Sequence, residues 1–323
     1  MSPHPPEATR RSRAVRLRDR AVAAYERLPV VPGKRTAGFA IGLALFAAAL
    51  WAVTSQRGTL DDAIAQAADA PLWLVIAVIA MPVINVLIIS QAFHALTRRY
   101  GDVRRGEMAA VVSSAWLLNY LPMRVGMIGR FAYHKKCNGI RVTDSLRILV
   151  ESMALSAAAV LLLFAIAALV RFGLGDPPAG VIAAILVVPL IAGAFASLVF
   201  ALPASPRHRP GIGARCIAWT LRYADAAIWV ARYAAVFAMI GKPISLEQAV
   251  IVAAVGQAAL MVPIAGNGLG IREWAVGFTA EAGLVADVLN RAAELSGAIV
   301  AGLIGGWVAS RNVARGVAAG QGA

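Results

Sequence analysis

Two short segments of this chain combine arginine, glycine and proline in otherwise apolar surroundings. The first, residues 119–130, reads NYLPMRVGMIGR and contains Arg124 and Arg130; the second, residues 262–273, reads VPIAGNGLGIRE and ends in an Arg-Glu pair. Guanidinium groups bind phosphate through charge-assisted hydrogen bonds, and a helix that begins after a break offers backbone N–H groups to an anion. These residue types therefore indicate an anion site suited to phosphate.

Composition identifies the surroundings as a membrane. The chain has 323 residues, of which 59% are hydrophobic and 15% charged, with a mean hydropathy of +0.70, and this predicts an all-α integral membrane protein. The net charge of +14 falls in blocks between apolar segments, as in cytoplasmic loops, so no nucleic-acid partner is expected. The two cysteines are predicted to be reduced thiols, and no cofactor or metal is expected.

Six segments are long and apolar enough to be predicted as transmembrane helices. They are residues 37–53, 72–96, 148–170, 181–202, 224–240 and 292–309. Residues 1–36 hold nine bases against three acids, and residues 97–147 hold ten against three, whereas residues 54–70 hold one base against three acids. This asymmetry predicts that both termini lie in the cytoplasm and fits six full crossings. The expected location is a bacterial inner membrane. The predicted parts are a basic tail (1–35), a polytopic membrane domain (36–310) and a C-terminal tail (311–323).

Two further apolar segments, residues 108–121 and 248–262, cannot each cross once without breaking this charge pattern. Each is followed by a proline, Pro122 or Pro263, and then by glycines. We expect two re-entrant helical hairpins, one entering from each face, because broken backbone is tolerated in a membrane only inside protein or beside water. Paired breaks of opposite orientation also indicate a possible inverted repeat with a binding site between its halves. The alternative is that two loops merely share proline and glycine.

Individual residues leave alternatives open. Arg130 could bind phosphate or could be an interfacial residue of the positive-inside pattern. Gly268 and Gly270 could form an anion-binding nest or could only let the backbone turn. Arg272 and Glu273 could pair with each other or face opposite ways, and a buried partner is expected for an acid at that depth.

One predicted helix carries polar residues at a regular spacing. Arg222, Asp225, Trp229 and Arg232 recur every three or four residues, so they share one helix face that should look into protein or water. Glu151 follows Arg147 by one turn, which fits either an ordinary i,i+4 pair or a carboxylate in a cavity.

These motifs resemble the membrane domain of lysylphosphatidylglycerol synthases and their stand-alone flippase-like relatives. The family pattern runs roughly N-x-L-P-x-R-x-G-[DE]-x-x-R, then Gly-Ile and Glu-Arg pairs, then a proline followed by G-G-x-G-x-R-E. Here it reads NYLPMRVGMIGR, Gly139-Ile140, Glu151-Ser152 and PIAGNGLGIRE, and the resemblance covers residues 35–310. Three positions depart from the pattern, where Met127, Ser152 and Asn267 replace an acid, an arginine and a glycine.

The resemblance implies a membrane protein that binds or translocates an anionic phospholipid or a polyprenyl-phosphate-linked lipid, without aminoacyl transfer. We expect no enzyme activity. The alternative is a non-transporting accessory or scaffold subunit of a lipid or glycan pathway, whose charges would be paired internally around no open cavity. The expected headgroup-binding residues are Asn119, Arg124, Gly126, Arg130, Gly268, Gly270, Arg272 and Glu273. The expected supporting residues are Pro122, Glu151, Pro263, Arg222, Asp225 and Arg232. The oligomeric state is left open.

Overall fold

The described part of the chain is helical throughout. The computed structural model describes residues 32–55, 57–121, 125–174, 177–201, 211–261 and 268–320, and these contain no β-strand. In chain order the helices are α1 Pro32–Ser55, α2 Arg57–Asp69, α3 Leu72–Thr97, α4 Arg105–Leu118, α5 Val125–Asn138, α6 Val142–Ala168, α7 Ala179–Ala201, α8 Gly211–Met239, α9 Leu246–Met261, α10 Ile271–Gly277 and α11 Gly283–Gly320. A π-helical turn, Leu169–Gly173, extends α6.

Four helices in the described ranges are long and apolar enough to cross a membrane. They are Leu72–Thr97, Val142–Gly173, Ala179–Leu198 and Gly283–Ala314, and they match four of the six predicted spans. Their composition is that of a membrane-embedded helical protein, as predicted. The last of them begins at Gly283, nine residues before the predicted start at residue 292, because charged residues in its first turns are buried against protein.

The other two predicted spans differ from these four. In α1, the apolar stretch with described side chains is Leu43–Ser55, which is shorter than a full span. Helix α8 has 29 residues, which is long enough to cross, but Arg215, Arg222, Asp225 and Arg232 make it more polar than an ordinary span.

Several helices are too short to cross a bilayer alone. Helices α4 and α5 have 14 residues each, which at about 1.5 Å per residue reach about 21 Å, short of the roughly 30 Å of hydrocarbon. Helix α9 has 16 residues and α10 only seven. The two segments predicted as the starts of re-entrant hairpins therefore correspond to short helices, α4 and α9. Each is followed by a second short helix, α5 after α4 and α10 after α9.

Helix α8 lies at the centre of the bundle and packs against α3, α6, α7, α9 and α11. Its apolar residues Val230 and Phe237 join Val78 of α3 and Leu163 of α6 in the largest hydrophobic core. Because its polar residues recur on one face, the remaining faces can pack in this way without burying an unpaired charge.

Glycines bring α11 and α4 into close contact. A Cβ added at Gly305 of α11 would overlap the carbonyl oxygen of Ala110, and one added at Gly302 would overlap the side chain of Leu117. Small residues at such crossings let helix backbones approach closely, which is how membrane helices gain van der Waals contact.

Candidate functional site

Six buried charged side chains from three helices form what we call the ion cluster. They are Arg232 of α8, Arg272 and Glu273 of α10, and Asp287, Arg291 and Glu294 of α11. None is more than 5% exposed. With three positive and three negative groups the cluster has no net formal charge, which lowers the cost of burying it.

Glu294 is the hub of this cluster. Its Oε2 lies 2.8 Å from Arg272 Nη1, and its Oε1 lies 2.8 Å from Arg232 Nη2. Arg291, three residues earlier on the same helix, places its Nη1 3.7 Å from Glu294 Oε2. One carboxylate thus links three guanidinium groups, and its loss would leave all three short of negative charge.

The remaining acids of the cluster each bind one arginine. Arg272 Nε donates to Asp287 Oδ2 at 2.9 Å, and Tyr233 Oη donates to Asp287 Oδ1 at 2.8 Å. Glu273 accepts from Arg291 Nε at 2.7 Å. Arg272 and Glu273 are therefore oriented toward different partners, which settles the alternative left open by their adjacency.

A cavity of about 650 Å³ lies beside the ion cluster. Tyr120, which follows α4, lines it, and so do Leu260 and Met261 at the end of α9. The two helices that precede the predicted breaks therefore end at the same cavity.

The cavity has an apolar wall and a charged floor. Its wall on α6 is formed by Leu149, Val150, Met153, Ala154 and Ala157. Val150 and Met153 are 54% and 47% exposed, so this wall also faces the surroundings of the bundle. The floor includes Arg272 and Glu294 of the ion cluster.

The polar face of α8 also lines this cavity. Arg222, Asp225, Trp229 and Arg232 all lie on it, as their spacing predicts. The guanidinium carbon of Arg232 is 4.3 Å from the Trp229 ring centroid, and that of Arg272 is 5.3 Å away. Both distances allow cation–π attraction, so Trp229 holds the two arginines at the cavity floor.

Arg222 is held less tightly than the arginines of the ion cluster. Its Nη1 lies 4.0 Å from Asp225 Oδ2, and its Nη2 donates to Ser152 Oγ at 2.5 Å. Asp225 Oδ1 is already occupied, since it accepts from Asn85 Nδ2 at 2.6 Å. The Nε of Arg222 is buried without a hydrogen-bond partner among the described residues. Arg222 is thus the cavity-lining arginine with most capacity for a further acceptor.

Arg130 shares an aromatic ring with Arg222. The guanidinium carbons lie 3.9 Å and 5.2 Å from the Phe93 centroid, respectively. Arg130 is 8% exposed, and its contacts with the described residues are with the rings of Phe93 and Phe131, without an ion pair or hydrogen bond to any of them. We call Arg130 and Arg222 the arginine pair; Asp225 is the acid within ion-pairing reach of Arg222.

Asn119 and Gly126 hold the start of α5 against α4. Asn119 Oδ1 accepts from the backbone N–H of Met127 at 3.1 Å and so caps the start of α5. A Cβ added at Gly126 would overlap the backbone carbonyl of Ala115, so only glycine allows this crossing. Both residues have structural contacts that position α5 and its Arg130.

Other expected site residues have varied positions. Gly268 and Gly270 have φ values of 65° and 80°, a region that favours glycine, and Gly270 immediately precedes α10. Glu151 pairs with Arg99 and with Arg215, whose Nε lies 2.6 Å from Glu151 Oε1, and it is not among the described residues that line the cavity. Three others, namely Pro122, Arg124 and Pro263, lie outside the described residues.

Four site residues on α11 were missed by sequence reasoning, namely Asp287, Asn290, Arg291 and Glu294. Their spacing of three, one and three residues places them on one helix face, and that pattern was available. Asn85 of α3 was also missed, because a single asparagine in an apolar helix has no periodic signal. Among the described residues, no three His, Cys, Asp or Glu side chains are grouped to hold a metal ion.

The chain matches no protein-family model, no curated protein and no solved structure. The resemblance to the lysylphosphatidylglycerol synthase membrane domain therefore depends on the two motifs alone.

Proposed function

We propose that this protein binds an anionic lipid in the 650 Å³ cavity and moves its headgroup across the membrane. The ligand class is an anionic phospholipid or a polyprenyl-phosphate-linked lipid. Arg222 would make the main contact with phosphate, with Arg232 and Arg272 forming the floor beneath it.

The observation that carries this proposal is one cavity with an apolar wall and a floor of arginines that keep unused donors. The described lining residues include three arginines and two acids, Asp225 and Glu294, and Asp287 binds Arg272 from behind the lining. One nitrogen of each arginine, namely Arg222 Nε, Arg232 Nε and Arg272 Nη2, has no acceptor among the described residues. An acyl chain would lie along the α6 wall, where Val150 and Met153 also face outward, and a phosphate would supply the acceptors.

The proposed topology has six crossings and two re-entrant hairpins that could form an inverted repeat. In it α1 and α8 complete the six crossings, while α4–α5 and α9–α10 enter from opposite faces. Two observations support this: the short helices cannot cross alone, and α4 and α9 end at the same cavity. Both termini would lie in the cytoplasm of a bacterial cell.

Lipid translocation can be tested in liposomes that carry a labelled anionic lipid. The wild-type protein should accelerate its transbilayer movement, and Arg222→Gln should slow that movement roughly tenfold or more through the lost charge-assisted bonds. Arg141→Gln is the matched control, because Arg141 is 77% exposed and pairs with Asp144 outside the cavity. Equal rates with and without protein, across several labelled lipid classes, would rule out translocation.

Cys137 allows the orientation to be tested. It is a free, exposed cysteine at the end of α5, on the face expected to be cytoplasmic. Burial raises the pKa of the Cys137 thiol, so labelling with a membrane-impermeant maleimide should be done at about pH 8.5, where the thiolate is more abundant. In a Cys216→Ser background, inverted vesicles should be labelled and intact cells should not. The reverse pattern would contradict cytoplasmic termini.

A second candidate function is a non-transporting accessory subunit of a lipid or glycan pathway. The ion cluster favours it, because its three arginines are neutralised by protein acids without any ligand. The 650 Å³ cavity counts against this alternative, which expects no open cavity. Native mass spectrometry distinguishes the two, since a co-purified lipid lost in Arg222→Gln favours lipid binding, and its absence in the wild type favours the accessory role.

A further inference from the structure

A second, much smaller cavity lies between α3, α4, α5 and α6. Phe93, Met108 and Ile148 form its apolar walls, and Arg130, His134 and Ser145 contribute polar groups. Its volume is about 10 Å³, which is room for about one water-sized occupant. It shares no lining residue with the 650 Å³ cavity, so the two are separate sites.

Two buried donors line this small cavity. Arg130 is 8% exposed, and its guanidinium has no acid or hydrogen-bond acceptor among the described residues. Ser145 is 3% exposed, and its hydroxyl likewise has no partner within the described chain. His134 Nδ1 is already engaged by Asn138 Oδ1 at 3.0 Å. A hydroxyl and a guanidinium without an acceptor in the described part of the chain are an unusual pair to bury together.

The local charge makes this arrangement costly without a counter-ion. Arg222, the other charged group over the Phe93 ring, is also a cation. Taking an ion out of water costs several kcal/mol, and the π face of Phe93 offsets only part of that. Water could satisfy the hydrogen bonds of Arg130 and Ser145, but it could not neutralise the charge.

We propose that this cavity binds one monatomic anion, with chloride as the physiological occupant. Arg130 supplies the compensating charge, Ser145 donates a hydrogen bond, and Phe93, Met108 and Ile148 form the apolar wall. The volume excludes phosphate and any lipid headgroup. The site therefore does not depend on lipid binding in the larger cavity, and either proposal can fail without the other.

The position of the site gives the anion a structural effect. Its lining residues come from four consecutive helices, so an ion bound there holds α5 against α3, α4 and α6. Any ligand that binds the folded state and not the unfolded state raises stability with its concentration. Chloride should therefore stabilise this protein in a saturable way.

Purified protein in detergent can be moved from sodium gluconate to sodium chloride at constant ionic strength. We expect the unfolding midpoint, followed by tryptophan fluorescence, to rise by roughly 2–5 °C and to saturate. Bromide should act similarly, and crystals grown in bromide should show one anomalous peak between Arg130 and Ser145. The same midpoint in both salts with no bromide peak, which means that water fills the cavity, would overturn the proposal.

Two variants keep the test independent of general salt effects. Ser145→Ala should weaken the chloride response by about tenfold in concentration, because it removes one donor to the ion. Ser90→Ala is the matched control, since Ser90 is equally buried and its hydroxyl donates to Leu87 O at 2.6 Å within α3. Arg130→Gln should abolish the response. An unchanged response in Ser145→Ala and Arg130→Gln would show that chloride acts elsewhere.

Discussion

The ion cluster and the arginine pair both bury guanidinium groups, but they neutralise them differently. In the cluster, Glu294 alone lies within 4 Å of three arginines, and the formal charges cancel. In the arginine pair, Arg130 has no described acid partner and Arg222 is 4.0 Å from its own. The first region is neutralised within the protein, whereas the arginines of the second are not fully neutralised by the described acids. Lack of internal neutralisation therefore marks the candidate site better than the mere presence of arginine.

The largest expected effect tests whether the ion cluster is structural. Glu294→Gln removes the negative charge next to three arginines and should lower the free energy of unfolding by about 3–5 kcal/mol. Thermal or denaturant unfolding in detergent would measure this. Glu281→Gln is the control, because the Glu281 side chain is 90% exposed and its pair with Lys242 spans 3.7 Å. If the two variants lost the same free energy of unfolding, the ion cluster would stabilise the fold no more than an exposed ion pair does.

A smaller effect is expected where α5 is positioned beside the arginine pair. Gly126→Ala places a methyl group against the carbonyl of Ala115 and should cost about 1–3 kcal/mol by forcing α5 away from α4. Gly129→Ala, one turn later, has open space around the new methyl group and should be neutral or stabilising. Equal effects of the two variants on the unfolding midpoint would mean that this crossing tolerates movement.

The smallest effect on stability is expected at the arginine pair. Arg222→Gln should lower the free energy of unfolding by less than about 1 kcal/mol, because the pair with Asp225 is long and the arginine is incompletely satisfied. The same unfolding measurement as for Glu294→Gln applies. A loss as large as that of Glu294→Gln would remove the distinction between the two regions.

The long apolar helices could be predicted from sequence because the bilayer requires about 20 apolar residues in a row. The common face of Arg222, Asp225 and Arg232 could also be predicted, since helical spacing determines it. Which residue each buried charged side chain pairs with could not be predicted. Arg272 pairs with Asp287, 15 residues away, across a turn whose geometry depends on tertiary packing. The same limit applies to Asn119, whose motif position suggested a ligand contact while its side chain caps α5.

The glycine contacts between α4 and α11 have a mechanical consequence. Because backbone meets side chain and carbonyl directly at Gly302 and Gly305, these two helices cannot slide or tilt past each other without losing that contact. The two helices should therefore move together as one rigid body. Any widening of the 650 Å³ cavity would then come from movement of α6, which forms the apolar wall. Spin labels should report a fixed distance from α4 to α11 and a variable one from α4 to α6.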